Sequence, residues 1–422
     1  MKTVLIALAL TAQAPATAQP RADGWRLAGD PNARLSWMRS YASAGDDWIN
    51  DIVPLSGDRF LAVGFLNRDD NAEQSARAWR ALAAIVRGDG SAAADRHYGE
   101  RGVNAFWSAR EGQGERLAFA GFTTEGGAGG IDALAVSTRA DGAVVAERHF
   151  GGAGYDRFTS LAPAGDGHVF LGHSQPAGED RRRLFAVRTD ADLDPVWERI
   201  IEAPESLGAL YIAAAADGGF VVAGGIGSGE GDIVVIKLDG DGRELWRRTI
   251  GSAEASDVNH GLALLANGNI VVVGYSRSWG ARDNDLLAAT LSPTGEVLAI
   301  DMLGGAGDDR PILAKADAAG GVVIVGQTAS AGAGGTDLML ARLGPDGRFM
   351  PGVITLGTAA EDHGTAIHPL GGGDLLVAGY SNAAGGRGGQ DAFLARLSAP
   401  SWGRSNPAFE RRQVRSSLSS SD

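Results

Sequence analysis

The chain has 422 residues and a formal net charge of −13, with 63 glycines, 9 tryptophans and no cysteine. The acidic balance disfavours nucleic acids and anionic membranes as partners, because both attract basic proteins. The absence of cysteine excludes structural disulfides, thiolate zinc sites and cysteine nucleophiles. The glycines follow no collagen-like period, so they are expected to mark many turns.

Residues 1–18, MKTVLIALALTAQAPATA, have the features of a secretory signal peptide. Lys2 precedes a short apolar run, and Ala16-Thr17-Ala18 has the small-residue spacing of a cleavage site. The apolar run is too short to span a bilayer, and no other window approaches that length. The sequence therefore predicts a periplasmic or extracellular protein without a transmembrane segment.

Seven similar strand-like segments recur along the chain, each containing one glycine, which we call the repeat glycine. These glycines are spaced 50 to 57 residues apart: Gly64, Gly121, Gly172, Gly224, Gly274, Gly326 and Gly379. A second apolar run follows each one and often ends in a hairpin-type pair such as Asp89-Gly90. With a third run after that pair and a shorter run before the glycine, each repeat has four strands. Residues 24–402 are therefore predicted to form an all-β, seven-bladed β-propeller with four-stranded antiparallel blades.

The two ends of the predicted propeller complement each other. The last repeat ends after its third strand, whereas residues 34–41, RLSWMRSY, align without a gap to residues 243–250 of the fourth repeat. The N-terminal strand is therefore expected to close the last blade, which removes the open sheet edges. The alternative, an open solenoid, needs capping units that the sequence lacks. The tail 403–422 has four arginines and a serine run, and it is expected to be disordered.

The fourth repeat shows the motif most clearly, from Ala216-Asp217-Gly218-Gly219 through Lys237-Leu238-Asp239 to Trp246. This pattern resembles the β-propeller repeats of secreted bacterial proteins, and the resemblance covers residues 30–400. It implies the fold and no particular activity. The stretch 239–246 also resembles the tryptophan-docking repeat of quinone-dependent dehydrogenases. Seven repeats instead of the usual eight favour blade packing as the role of this tryptophan, and we expect no cofactor.

A polar residue recurs seventeen positions before the repeat glycine. It is aspartate in four repeats, with Asn104 in the second and, after a one-residue shift, Asp156 in the third: Asp47, Asp257, Asp309 and Asp362. An Asx-type turn that caps the start of the first strand explains such a residue. The alternative is a ring of carboxylates around a central cation.

Immediately after this position the repeats diverge, and they carry large or charged side chains towards one end of the inner strands. The candidate ligand-binding residues are Trp48, Trp107, Arg157, His260, Arg310 and His363, with Asn50 beside Trp48. Divergence among repeats at a channel mouth is expected of a binding site. The alternative is that these side chains only seal the blade contacts and the channel rim.

No nucleophile elbow, phosphate-binding loop or zinc-protease helix occurs in the sequence. The leading hypothesis is a monomeric, non-catalytic binding scaffold for a protein, peptide or glycan ligand at a channel mouth. No catalytic residue and no metal ligand is assigned. The alternative is a hydrolase or lyase acting on a polysaccharide or peptide, with His260 or His363 as acid/base. A deep pocket with a histidine–carboxylate pair favours the enzyme, and a closed rim favours the scaffold.

Overall fold

The computed structural model describes residues 24–414 except 44, 68–78, 100–101, 204, 228–230, 253–255, 282, 384–388 and 399. The predicted signal peptide, residues 1–18, lies outside the described residues. The described chain is almost entirely β-structure, with short 3₁₀ turns at Gln113–Glu115 and Gly371–Gly373. None of the helical segments in these ranges is long and apolar enough to cross a membrane.

The strands form seven antiparallel sheets, which are the blades of a ring. The chain starts with β1 (Arg26–Ala28) and β2 (Arg34–Tyr41), and blade 1 consists of β3 (Asp47–Leu55), β4 (Arg59–Asn67), β5 (Trp79–Arg87) and β6 (Ala92–Tyr98). Blade 2 consists of β7 (Asn104–Glu111), β8 (Leu117–Thr123), β9 (Asp132–Thr138) and β10 (Val144–Phe150). Blade 3 consists of β11 (Tyr155–Ala164), β12 (Gly167–Gln175), β13 (Arg183–Thr189) and β14 (Pro195–Ile201).

Blades 4 to 7 repeat this order. Blade 4 consists of β15 (Leu207–Ala214), β16 (Phe220–Ile226), β17 (Asp232–Leu238) and β18 (Glu244–Ile250). Blade 5 consists of β19 (Asp257–Leu264), β20 (Ile270–Ser276), β21 (Asp285–Leu291) and β22 (Val297–Gly304). Blade 6 consists of β23 (Asp309–Ala316), β24 (Val322–Thr328), β25 (Asp337–Leu343) and β26 (Ile354–Gly357). Blade 7 contains β27 (Asp362–Pro369), β28 (Leu375–Ser381) and β29 (Asp391–Ser398), and β30 (Glu410–Val414) follows. The predicted seven-bladed, four-stranded propeller is confirmed.

The N-terminal strand closes the ring, as predicted. β2 pairs antiparallel with β29 and becomes the fourth strand of blade 7, with Met38 opposite Ala395 and Tyr41 opposite Ala392. β1 adds a fifth strand to blade 6 by pairing with β26. The two chain ends also meet, because Asp30 accepts hydrogen bonds from Ser401 and from the backbone N–H of Trp402. The first and last described segments therefore hold each other in place.

The prediction of a disordered tail is wrong for residues 410–414. This segment forms β30, the fifth strand of blade 5, which pairs antiparallel with β22. Composition alone suggested disorder, but an open sheet edge binds any chain with free backbone groups. Two buried carboxylates add to this: Arg411 pairs with Asp301 at 2.7 Å, and Arg412 pairs with Asp285. Residues 415–422 lie outside the described residues.

Arg412→Leu is expected to destabilise the ring by about 3 kcal/mol, because it leaves Asp285 as an unpaired, fully buried charge. Burial already raises the pKa of Asp285 to about 6, against the opposing effect of Arg412. The loss should therefore shrink at pH 5, where the isolated carboxyl takes up a proton. Urea unfolding at pH 8 and pH 5 measures both effects. Glu410→Leu, at an exposed position of the same strand, should change stability by less than about 0.5 kcal/mol. Equal losses for the two variants would contradict the prediction.

A β-bulge in the inner strand explains the repeat glycines. The first strand of every blade carries the bulge, at its fourth position in six blades, for example Asn50 in β3 and Thr365 in β27, and at its fifth position, Thr159, in β11. Next to it the second strand runs very close, so a Cβ on Gly64 would lie 1.9 Å from the carbonyl oxygen of Trp48. The same contact would arise at Gly379, 1.9 Å from the carbonyl oxygen of His363. Only glycine fits at these positions, so the regular recurrence of the repeat glycine in the sequence marks the bulge of the inner strand.

The outer-strand tryptophans pack one blade against the next, which supports their expected role. Trp37 in blade 7 lies against Gly90 in the Asp-Gly turn of blade 1, where an added Cβ would be 2.7 Å from the indole. Its Nε1–H donates to the carbonyl of Gly88 at 3.0 Å. Trp197 makes the same contact with Gly242 of blade 4. These glycines have positive φ, 84° for Gly90 and 77° for Gly242, as the hairpin turn requires.

Candidate functional site

The inner strands β3, β7, β11, β15, β19, β23 and β27 all begin at the same face of the ring, which we call the top face. Four of the six candidate residues occupy the second position of an inner strand or its equivalent: Trp48, Arg157, Arg310 and His363. The other two, Trp107 and His260, are the bulged residues of β7 and β19. All six side chains are half-buried. The structure therefore brings the predicted set to one mouth of the channel, where it forms three separate contact groups.

The repeated aspartates lie beneath this face, and at least one carboxylate oxygen of each accepts a hydrogen bond within the fold. Asp362 accepts from the backbone N–H of Thr358 at 2.6 Å, and Asp309 accepts from Gly305 at 2.7 Å. Asp47 is bonded to Ser43 and to the backbone N–H of Asn67. Burial raises the pKa of Asp47 to about 7, despite these hydrogen bonds. These contacts are those of a cap on the loop between blades, and no metal-ligand group of three acidic or histidine residues occurs among the described residues.

Blades 7 and 1 carry a continuous run of rings, which we call the aromatic stack. It consists of His363, Tyr380, Trp48, Phe65 and Trp79. Successive ring centroids lie 4.7, 4.7, 5.9 and 4.3 Å apart, with interplanar angles from 8° to 21°. Such contacts fix side-chain orientation and stabilise by about 0.5–1.5 kcal/mol each. The stack gives this part of the top face a rigid, partly exposed aromatic surface.

His363 is the member of the stack with acid/base potential. Its Nδ1 is hydrogen bonded to Gln327, and its Nε2 lies 3.8 Å from a carboxylate oxygen of the exposed Glu361. Burial lowers the pKa of His363, while Glu361 and Asp362 partly oppose this effect. A histidine–carboxylate pair is therefore present at the mouth, on the rim and not in a deep pocket.

His260 and Arg310 share one tyrosine between blades 5 and 6. The imidazole of His260 stacks on Tyr275 at 5.5 Å, and the Arg310 guanidinium lies 5.2 Å from the centre of the same ring. Arg310 is neutralised by Asp308 at 2.6 Å. Burial, with a smaller effect of Arg310, lowers the pKa of His260 to about 4. An acid/base catalyst works best with a pKa near the operating pH, so His260 is poorly suited to that role.

Below the mouth, side chains connect the inner strands of blades that are not neighbours in the ring. Lys315 of blade 6 donates to Asp51 of blade 1 at 2.6 Å, and Tyr211 of blade 4 donates to the carbonyl of Ile312 at 2.7 Å. Arg110 of blade 2 completes the ion group at 2.9 Å from Asp51. Burial alone would raise the pKa of Asp51, but Lys315 and Arg110 lower it to about 2. These contacts link the inner strands of blades 1, 2 and 6, and those of blades 4 and 6, below the mouth.

Blade 4 leaves a notch in the top face. Gly208 holds the second position of β15, where four of the other six inner strands carry an arginine, histidine or tryptophan, and it pairs with Gly225 of β16. A Cβ on Gly208 would meet no described atom within 4 Å, and one on Gly225 would meet only the carbonyl oxygen of Asp232, at 3.9 Å. Blade 4 therefore presents no side chain at this position, between Arg157 of blade 3 and Val258 of blade 5.

Sequence reasoning missed the second strand's contribution to this face. The residue after each repeat glycine lies directly opposite the second position of the inner strand, as Phe65 does to Trp48 and Tyr380 to His363. Its identity changes from blade to blade: Phe65, Phe122, His173, Gly225, Tyr275, Gln327 and Tyr380. In the sequence, these top-face residues can be recognised because the position directly after the repeat glycine varies from blade to blade.

Comparisons with known proteins support the fold alone. No protein-family model and no curated protein matches the sequence. Among solved structures, the Pan2 WD40 domain of Neurospora crassa has a TM-score of 0.50 at 8% identity, over 87% of this chain and 95% of that chain. The polysaccharide lyase Uly1 has a TM-score of 0.52 at 9% identity, over 84% and 90% of the two chains. Hydrazine synthase of Kuenenia stuttgartiensis has a TM-score of 0.52 at 11% identity, over 78% of this chain and 92% of that chain. The resemblance to repeats of secreted bacterial proteins stays a prediction.

Proposed function

We propose that this propeller is a non-catalytic binding module whose ligand, a peptide or a glycan, lies across the top face. The observation that carries the proposal is the contrast between the two levels of the channel. At the mouth the blades differ and present half-buried aromatic and cationic side chains, whereas below it Lys315 of blade 6 is bonded to Asp51 of blade 1 and ties the inner strands together. Such a surface offers contact area to an extended ligand and no enclosed chamber for a reaction.

The aromatic stack supplies the anchoring part of this surface. Trp48 is fixed between Tyr380 and Phe65, and its Nε1–H donates to Gln390 at 2.8 Å. A rigid aromatic side chain contributes contact area at little cost in conformational entropy, which is why tryptophan and tyrosine dominate binding hot spots. The notch at Gly208 supplies the place where a protruding group of the ligand fits. On the basis of residues 1–18, we further propose that the protein is exported to the periplasm or the cell exterior. We also propose that it acts there as a monomer.

The alternative, a hydrolase or lyase, is supported by the His363–Glu361 pair at 3.8 Å. The folds compared include a polysaccharide lyase and a WD40 domain, so the fold itself does not choose between the two functions. Turnover of a bound glycan or peptide that is lost in His363→Gln would establish the enzyme and overturn the proposal.

Filling the notch tests the binding proposal. On an array of neutral and acidic oligosaccharides and of peptides, the full chain is expected to retain a subset of probes without converting them. Gly208→Leu should weaken that binding at least tenfold, because its side chain occupies the open space of the notch. Gly371→Leu is the matched control, since Gly371 is exposed on the opposite face and also has open space. Equal binding by Gly208→Leu and Gly371→Leu would contradict the proposal. So would the failure of the full chain to bind any oligosaccharide or peptide on the array.

A further inference from the structure

Two arginines near the notch, Arg157 and Arg182, form no ion pair with any carboxylate of the described residues. In the run Arg181–Arg183, the flanking residues are neutralised, Arg181 by Glu202 at 3.5 Å and Arg183 by Glu179. The middle residue, Arg182, is exposed and makes no ion pair with a described carboxylate; its Nε donates only to the amide oxygen of Gln175, at 3.4 Å. Arg157 likewise forms no ion pair among the described residues.

Arg157 is held by aromatic rings instead of by a carboxylate. Its guanidinium lies 5.4 Å from the centre of the Trp107 ring and 5.8 Å from that of Tyr155. The Nε atom of Arg157 and the Nε1 atom of Trp107 are buried donors without an acceptor. One N–H of Arg157 donates to the Tyr155 hydroxyl at 3.4 Å, and the cation–π contacts use none of the other N–H groups. The Nε–H of Arg157 and the Nε1–H of Trp107 are therefore the donors that remain for a ligand.

His173 lies behind these donors. Its side chain is 1% exposed, stacks on Tyr155 at 5.7 Å, and neither ring nitrogen has a hydrogen-bond partner. Burial, together with the charges of Arg157 and Arg182, lowers the pKa of His173 to about 3. The two arginines also contact paired residues, because Tyr155, against which Arg157 packs, lies opposite Gln175, whose amide oxygen accepts from Arg182. The notch adjoins Arg182, because the backbone N–H of Leu207, next to Gly208, donates to the carbonyl of Arg182 at 2.9 Å.

We propose that Arg157 and Arg182 form a binding site for an oxyanion of the ligand, a carboxylate, sulfate or phosphate group placed in the notch at Gly208. Planar guanidinium forks match the oxygens of such groups and bind them through charge-assisted hydrogen bonds. The free-energy cost of removing the anion from water is offset by its attraction to two cations that form no ion pair with a described carboxylate. The inference rests on the proposed function and specifies it: the ligand is an acidic chain rather than a neutral one.

Titration of small oxyanions into the full chain tests the inference without knowledge of the natural ligand. Sodium sulfate, phosphate and acetate replace sodium chloride at constant ionic strength while the indole N–H resonance of Trp107 is followed by NMR. We expect a saturable shift with a dissociation constant on the order of millimolar for at least one oxyanion. The three salts distinguish a tetrahedral anion from a carboxylate.

Arg182→Leu is expected to weaken this binding about tenfold, and because Arg182 is exposed, the fold should be retained. Arg157→Leu should abolish it. Arg183→Leu, which removes an already neutralised charge, is the matched control and should change the affinity less than twofold. The absence of saturation with all three salts, or equal effects of Arg182→Leu and Arg183→Leu, would overturn the inference. Array ligands that bind with equal affinity to Arg182→Leu would overturn it while leaving the binding function intact.

Discussion

Met38→Asp is expected to abolish cooperative folding, because it places a charge in the seam where the ring closes. Met38 is buried in β2, the strand that the N-terminus contributes to blade 7. The substitution removes about 1.5–3 kcal/mol of burial and adds the larger cost of an unpaired buried carboxylate. This total is comparable with the whole stability of a typical domain, about 5–15 kcal/mol.

Thermal unfolding followed by circular dichroism measures the effect. Ser40→Asp is the matched control, because Ser40 is an exposed residue of the same strand and the change should cost less than about 0.5 kcal/mol. A single sharp transition in Met38→Asp, within a few degrees of that of Ser40→Asp, would show that β2 does not hold the ring closed.

Asp51→Asn is expected to cost about 3–5 kcal/mol, because it leaves Lys315 and Arg110 without their shared counter-ion. Asparagine keeps the shape of the side chain, so the loss reports the charge. Adding Lys315→Met to Asp51→Asn should recover at least half of it, since one unpaired cation is then removed. Urea unfolding of the two variants measures both values, and a loss below about 1 kcal/mol would contradict the role given to the ion group.

The same carboxylate predicts a pH dependence. The pKa of Asp51 is lowered from 3.8 to about 2 in the fold, so its contribution is present above pH 4 and is lost as the pH falls towards 2. This contribution is about 2 kcal/mol. As the pH falls from 4 towards 2, the free energy of unfolding should therefore decrease by about 2 kcal/mol less in Asp51→Asn than in the wild type. Parallel pH profiles would contradict the predicted shift.

The repeat pattern predicted much of the fold because one physical cause acts in every blade. The close approach at the inner-strand bulge requires glycine at Gly64 and at five of its equivalents, Gly121, Gly172, Gly274, Gly326 and Gly379, and the aspartate caps recur for a similar reason. The closing strand was predictable too, since residues 34–41 carry the pattern of an outer strand. The tail strand β30 was not, because its binding depends on Asp285 and Asp301, two buried carboxylates far away in the sequence.

The candidate site was predictable in position but not in its contacts. Divergence among repeats placed the six candidates at the top face, yet their grouping depends on which blades are neighbours. Lys315 and Asp51 are 264 residues apart, and only the closed ring brings them together. The notch is defined by a missing side chain at Gly208, which a search for functional side chains does not detect.

Amide hydrogen–deuterium exchange, with and without the strongest binder from the array, tests whether the ligand lies across the top face. We expect protection to be confined to the top face, at the starts of the inner strands and in the adjoining loops around Trp48, Arg157 and Gly208. The opposite face, including the turn at Gly371–Gly373, should exchange at the same rate with and without the binder. Protection of that opposite face with no change at the top would contradict the account.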